Sequence, residues 1–138
     1  MKIIAFDPGG TTGLAKVILP EEKLDVGQSH SAEAIWYFLN NEWPDQIVYE
    51  KFLYQRRDKV DLTPVEVIGV IKLWAAVNRV PIASYTAAQA KTFWTDQKMK
   101  KLGGWFEGMP HGTDALRHLL YHRVFTMKHE HILEGLRD

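Results

Sequence analysis

Residues 3–15 constrain the fold more than any other part of the chain. An apolar run ends in Asp7, a turn of Pro8, Gly9 and Gly10 follows, and the apolar pattern then resumes. This pattern is typical of a strand buried on both faces, a tight hairpin turn and a second strand. An acid at the end of a rigid strand is well placed to bind a metal ion or a phosphate-bearing substrate. Asp, Pro and Gly also favour turns for purely structural reasons, so both interpretations stay open at this point.

The composition limits the classes of protein to which the chain can belong. Its 138 residues favour one domain, and the absence of cysteine excludes disulfides, thiolate metal sites and a cysteine nucleophile. No apolar run approaches the roughly 20 residues of a membrane helix, and four apolar residues before Asp7 are too few for a signal peptide. We therefore expect a cytoplasmic protein. Because 17 Lys and Arg balance 17 Asp and Glu, any basic surface for nucleic acid must be local.

The order of predicted elements indicates an α/β domain with a mixed sheet flanked by helices. Strands are expected at residues 2–6, 13–19, 23–28, 46–50 and 81–85, and helices after Ser29 or Ser31, at 64–79, at 87–94 and from a Thr113 cap to about 127. Helix 64–79 is apolar around most of its circumference, which predicts burial by the sheet on one side and by a partner subunit on another. Residues 95–110 receive no firm assignment, and the charged residues 128–138 are expected to fray.

Three acids and a histidine lie at positions that a mixed sheet can bring together. Asp7 and Glu50 each close a predicted strand, while His111 and Asp114 lie three residues apart near the start of the last helix. Converging carboxylates repel one another, and a cation such as Mg²⁺ or Mn²⁺ is their natural neutraliser. Two such ions about 4 Å apart can activate water and stabilise the leaving oxygen in phosphodiester hydrolysis. Each residue alone has an ordinary structural explanation, but their joint order favours a metal site.

Two basic and aromatic segments are candidates for DNA contact. Basic side chains can bind phosphates, and aromatic ones can wedge between bases at a branch point. The alternative for the first segment is a solvated charged loop whose aromatic side chains fold onto the core. His118 and His122 are expected to be surface residues, since a third clear zinc ligand is missing. The predicted DNA-binding residues are Lys51, Phe52, Tyr54, Arg56, Arg57, Lys59, Lys91 and Lys98.

The sequence resembles the RuvC family of Holliday-junction resolvases, within the RNase H-like superfamily. The residues that carry the resemblance are Phe6-Asp7-Pro8-Gly9 with Thr12-Gly13, Ile47-Val48-Tyr49-Glu50, and His111-Gly112-Thr113-Asp114-Ala115-Leu116, supported by Ala75-Ala76-Val77-Asn78 with Pro81 and by Tyr85-Thr86-Ala87-Ala88-Gln89-Ala90-Lys91. The resemblance spans most of the chain from residue 3 to about 122. It implies a five-stranded mixed sheet, a nuclease domain over residues 1–127 and a charged tail over 128–138.

The resemblance also implies an activity, in a bacterial or phage-infected cell. A homodimer formed through helix 64–79 would cut four-way or otherwise branched DNA in recombination and repair, using Mg²⁺, or Mn²⁺ in its place, with two ions per active site. Asp7, Glu50 and Asp114 match the family's acids, and His111 matches a position that is an acid in some members and His in others. This His leaves the number of metal ions open.

Three other interpretations compete with a junction resolvase. An RNase H-like nuclease of broader specificity would cut flaps or forks, or process RNA as do the pre-ribosomal RNA enzymes that resemble RuvC. A catalytically silent module would bind branched DNA or a protein without cutting. The glycine-rich stretch after Asp7 also resembles the phosphate loop of actin-like ATPases and sugar kinases, but 138 residues are too few for their second lobe.

Overall fold

The strand that ends in Asp7 lies at the centre of the sheet. In the computed structural model, which describes residues 1–53 and 61–137, β1 (Lys2–Asp7) pairs antiparallel with β2 (Thr12–Ile18) and parallel with β4 (Gln46–Glu50). β2 pairs antiparallel with β3 (Lys23–Ser29), and β4 pairs parallel with β5 (Ile82–Tyr85). The order β3-β2-β1-β4-β5 confirms the predicted single α/β domain with a five-stranded mixed sheet.

The helices follow the capping signals of the sequence in most places. They are α1 (Ala32–Glu42), α2 (Thr63–Asn78), α3 (Ala87–Phe93), α4 (Asp96–Leu102), α5 (Pro110–Phe125) and a 3₁₀ helix (Glu130–Leu136). The Ser31 hydroxyl caps α1 by accepting a hydrogen bond from the Ala34 amide. Thr86 and Gln89 form a reciprocal capping box on α3. In residues 95–110, which received no assignment, the Thr95 hydroxyl caps α4 by accepting a hydrogen bond from the Lys98 amide.

The central strand is buried on both faces, as its apolar run predicts. Ile3 and Ala5 join a core cluster with α5, whereas Ile4 and Phe6 join a second cluster with α1 and α2. Since side chains alternate along a strand, α5 lies on one face of the sheet and α1 and α2 lie on the other. Within the described residues, no helix is long and apolar enough to cross a membrane.

Two expectations about the end of the chain are wrong. Helix α5 begins at Pro110, which suits a first turn, and Thr113 does not cap it: the Thr113 hydroxyl donates to the Met109 carbonyl inside the helix. Residues 130–136 do not fray, because Ile132, Leu133 and Leu136 of the 3₁₀ helix pack on the core cluster of α5. The charged residues of this segment predict fraying, but these three apolar residues attach it to the core.

Glycines allow α5 to approach the sheet closely. A Cβ atom on Gly13 of β2 would lie 1.8 Å from the His111 carbonyl oxygen, and one on Gly112 would lie 2.5 Å from Cγ1 of Val26. No side chain fits at either position without moving backbone or strand. The absence of both Cβ atoms therefore sets the first turn of α5 directly against β2 and β3.

Candidate active site

Asp7 and Glu50 meet because their strands are parallel neighbours. Phe6 of β1 lies opposite Tyr49 of β4, so the next residues along, Asp7 and Glu50, end their strands side by side. Both point to the α5 face, since Ala5 and Val48, two residues before each, belong to the α5 core cluster. Asp7 is 7% exposed. Their carboxyl groups share a hydrogen bond.

Helix α5 brings His111 and Asp114 to the same edge. The His111 ring nitrogen Nδ1 lies 3.3 Å from Oδ2 of Asp7, and its backbone N–H donates to Oε1 of Gln28 at 3.2 Å. The imidazole is about half exposed, at 46% of its side chain. Asp114, one turn further, is close enough to act electrostatically on Asp7. The structure therefore assembles all four predicted site residues.

The electrostatics of the two strand-end acids differ. Burial, followed by the negative charges of Glu50 and Asp114, raises the pKa of Asp7 to about 8. Burial also opposes ionisation of Glu50, but the hydrogen bond and charge of His118, with smaller contributions from Asp7 and Lys91, lower the pKa of Glu50 overall. Of the two carboxyl groups that share the hydrogen bond, Asp7 is thus the weaker acid and Glu50 the stronger one.

Two cations compensate the third acid. Nζ of Lys91, on α3, lies 3.7 Å from Oδ2 of Asp114, and Nε of Arg117 lies 3.4 Å from Oδ1. The Arg117 side chain is 4% exposed and also donates to Oδ1 of Asp96 and to the Trp94 carbonyl. Lys91 has a half-exposed side chain. Arg117 is therefore fixed in the interior, whereas the Lys91 ammonium can reach a substrate above the site.

The chemistry of the site fits a divalent cation. Within residues 1–53 and 61–137, no group of three or more His, Asp or Glu side chains is arranged so that it could hold a metal ion as it stands. The donor set is nevertheless rich in oxygen, and two of its carboxyl groups are so close that they share a hydrogen bond. A divalent cation bound to these oxygens would replace the shared proton and remove the repulsion that raises the pKa of Asp7.

The predicted DNA-binding residues are placed unequally. Lys51 and Phe52 directly follow Glu50; Lys51 is exposed, while Phe52 is partly buried against the α1 and α2 cluster. Lys91 contacts Asp114, whereas Nζ of Lys98, on α4, lies 4.0 Å from the centre of the Phe93 ring. The remaining predicted residues, Tyr54, Arg56, Arg57 and Lys59, lie outside the described residues.

A cavity of about 250 Å³ opens beside Glu50, next to the first turns of α2. Phe52 and Leu53 line it together with Pro8, Pro64, Ile68, Ala87 and Lys51. Phe52 therefore lies between the core and the mouth of the site. This partial packing agrees with part of the structural alternative for the segment, although Phe52 also lines the cavity next to Glu50.

The expectation that His118 and His122 are surface residues is wrong. His118 is 1% exposed, and its Nε2 lies 2.9 Å from Oε1 of Glu50. His122 is 4% exposed and contacts the Tyr85 hydroxyl at 2.7 Å and Oε1 of Gln46 at 3.1 Å. Both histidines face the sheet. Their spacing of four and eight residues from Asp114, which places all three on one side of a helix, was the available signal.

Comparison with known proteins places the fold. No protein-family model and no curated protein matches the sequence. Among solved structures, Thermus thermophilus RuvC in complex with a Holliday junction substrate matches with a TM-score of 0.72 and 17% identity, over 94% of this chain and 97% of that chain. A second Thermus thermophilus RuvC structure matches with a TM-score of 0.68 and 17% identity, over 93% and 96%. The chain thus has a RuvC-like fold of the RNase H-like type.

Proposed function

We propose that the chain is a metal-dependent endodeoxyribonuclease that resolves Holliday junctions or related branched DNA by paired hydrolytic nicks. The observation that carries this proposal is the convergence of Asp7, Glu50, His111 and Asp114 at one edge of a RuvC-like sheet. The raised pKa of Asp7 supports a functional site, since carboxyl groups with perturbed pKa values are concentrated in active sites. A similar fold has been solved with a Holliday junction substrate.

In this proposal the four side chains bind Mg²⁺, with Mn²⁺ able to substitute, as two ions per site. The bound ions would supply an activated water and stabilise the leaving oxygen of the phosphodiester. Asp7 is the central ligand because both Glu50 and His111 contact it. Lys91 lies beside Asp114 with its side chain half exposed, so its ammonium could bind a phosphate oxygen of the approaching strand.

The flanking residues would grip DNA near the cut. Lys51 is exposed directly after Glu50 and would bind backbone phosphates. Phe52, at the edge of the apolar cleft beside Glu50, would contact an unstacked base next to a branch point. Lys98 and the residues Tyr54, Arg56, Arg57 and Lys59 complete the proposed DNA-binding set.

We further propose a homodimer formed through helix α2. Val65, Leu73 and Val77 are 45%, 58% and 66% exposed, and with Gly69 and Ala76 they form one apolar stripe along the helix. A contiguous exposed apolar surface of this kind is typical of a protein interface. A two-fold axis through this stripe would relate two equivalent active sites, and two sites account for paired nicks in a symmetric junction.

The test is cleavage of a labelled synthetic four-way junction, beside a flap, a fork and a linear duplex, in Mg²⁺ or Mn²⁺. We expect paired, symmetric nicks in the junction that disappear in Asp7→Asn. Equal cutting of flaps and forks would replace the resolvase with a broader structure-selective nuclease. Tight junction binding with no cutting in either metal would contradict the enzyme and leave a silent binding module.

A further inference from the structure

His118 is a buried residue of α5 whose side chain contacts Glu50 of the candidate site. Its Nε2 lies 2.9 Å from Oε1 of Glu50, and the side chain is 1% exposed. It lies one helical turn beyond Asp114, on the side of α5 that packs on the sheet. Asp7 is the other buried side chain that shares a hydrogen bond with Glu50.

The direction of this hydrogen bond follows from the chemistry of the two groups. An ionised carboxylate only accepts hydrogen bonds, so Nε2 of His118 is the donor. Nδ1 of His118 is buried and has no partner among the described residues. Among the described residues, the hydrogen bond from Nε2 to Glu50 is therefore the polar contact that holds this imidazole.

Packing alone does not explain a histidine at this position. The neighbouring residues of α5 that face the same core, Ala115 and Leu119, are apolar, and a buried polar side chain costs free energy unless it is hydrogen-bonded. His122, one turn further, is also buried but contacts the neutral groups of Tyr85 and Gln46. The two histidines are thus both buried, at 1% and 4% exposure, but have different partners. Of the two, His118 is the one that contacts an acid of the site.

We propose that His118 is a positioning residue that fixes the Glu50 carboxylate in the orientation needed for metal binding. The inference rests on the proposed function, because it requires Glu50 to be a metal ligand. Hydrogen bonds to metal ligands orient them, and their loss typically costs about 10- to 100-fold in metal affinity or activity. His118 donates a hydrogen bond to Oε1 of Glu50 and thereby holds the carboxylate beside Asp7.

The experiment measures Mn²⁺ binding to the full-length, DNA-free protein by calorimetry and by electron paramagnetic resonance. His118→Gln places an amide N–H near the position of Nε2, whereas His118→Asn is too short to reach Glu50. Both variants keep a polar amide, so they differ in reach more than in polarity. His122→Asn is the matched control for the loss of a buried histidine on the same helix. Melting temperatures and junction cleavage are recorded for all four proteins.

We expect His118→Asn to weaken Mn²⁺ binding about 10- to 100-fold, and His118→Gln to recover most of that loss. His122→Asn should lower the melting temperature and leave the Mn²⁺ affinity unchanged. Wild-type affinity in His118→Asn, or an equal loss in His122→Asn, would overturn the positioning role while wild-type cleavage still supports a nuclease. A wild-type protein that neither binds Mn²⁺ nor cuts would overturn the proposed function and this inference with it.

Discussion

Helices α2 and α5 have the same length and a proline in the first turn, yet they distribute polarity in opposite ways. Each has 16 residues, and they cover opposite faces of the sheet. Helix α5 buries 11 residues, including Arg117, His118, His122 and Arg123. Helix α2 buries five, all apolar, and exposes Val65, Leu73 and Val77.

Each helix has side chains that its own folding does not require: buried polar ones on α5 and exposed apolar ones on α2. Buried charges and imidazoles cost free energy unless they are paired, so those of α5 require polar partners, and the partners of His118 and Arg117 are acids of the candidate site. Exposed apolar side chains gain nothing as long as water surrounds them, so those of α2 indicate a surface that another molecule covers. The polar helix therefore serves the site, and the apolar helix serves the proposed interface.

The largest effect is expected at the acids that α5 completes. Asp7→Asn preserves the shape of the side chain but cannot ionise, so it offers no negative charge to a metal ion beside Glu50 and Asp114. We expect junction cleavage in Mg²⁺ to fall at least about 100-fold, since a preorganised electrostatic group is lost. The melting temperature in metal-free buffer should stay level or rise, because burial and like charges disfavour the ionised Asp7. Gel assays and calorimetry provide the two measurements.

Asp25→Asn is the control for this first prediction, because Asp25 lies on β3 with its side chain 70% exposed. It should cut like wild type. A marked loss of stability in Asp7→Asn together with undiminished cleavage would show that the acid is structural, and the polar face of α5 would then need another explanation.

The second effect tests the apolar stripe of α2. Leu73→Glu puts a carboxylate at the centre of the proposed interface, where its burial without a partner costs several kcal/mol. We expect the dimer dissociation constant to rise at least about 100-fold, measured by sedimentation equilibrium. Paired nicking of the junction should fall with it at the same protein concentration.

Leu24→Glu adds the same charge at an exposed leucine of β3, on the α5 face of the sheet. This variant should dimerise normally. A wild-type protein that sediments as a monomer at all concentrations, or a Leu73→Glu variant that remains a dimer, would leave the exposed stripe of α2 without its proposed role.

The third effect concerns the seat of α5 on the sheet. Gly13→Ala would place a methyl group 1.8 Å from the His111 carbonyl oxygen, so the first turn of α5 must move. We expect a loss of about 3 kcal/mol in the free energy of unfolding and a loss of cleavage, because His111 and Asp114 move with the turn. Gly27→Ala on the neighbouring strand meets nothing within 4 Å and should be close to neutral. Urea unfolding compares the two, and equal stabilities would contradict the close contact.

The close contact at Gly13 also illustrates which features of the structure sequence patterns can and cannot predict. Local signals correctly predicted the strands, a cap at Ser29 or Ser31, the Thr86 cap and the acids at strand ends, because each depends on residues near in sequence. The burial of His118 and the packing of Leu136 depend on elements that meet only in the folded chain. The lack of a third zinc ligand therefore suggested a surface histidine, and the charged residues 128–138 suggested a frayed end. The start of α5 was misplaced because Thr113 is a common capping residue, although Pro110 favours a first turn at least as strongly.

The smallest effect separates the structural charges of α5 from those of the site. Arg123 is 4% exposed and donates to both carboxylate oxygens of Glu22, in the loop between β2 and β3, at 2.6 and 2.7 Å. These hydrogen bonds, with a further one to His131, lower the pKa of Glu22 to about 2 although burial opposes this. Glu22→Gln keeps one acceptor oxygen and loses the charge.

We expect Glu22→Gln to be roughly 1 kcal/mol less stable at pH 7, a modest value because half of the Glu22 side chain is in solvent. Since the folded pKa lies below the ordinary value of 4.5, the contribution of Glu22 is complete above pH 4.5 and is lost as the pH falls toward 2. The stabilities of the two proteins, followed by circular dichroism, should therefore converge in acid. Cleavage should be unchanged at neutral pH, because Arg123 stabilises the docked end of the chain and contacts none of the four acids. A loss of cleavage in Glu22→Gln without a loss of stability would mean that the buried charges of α5 act as one unit, and the division between its two ends would be wrong.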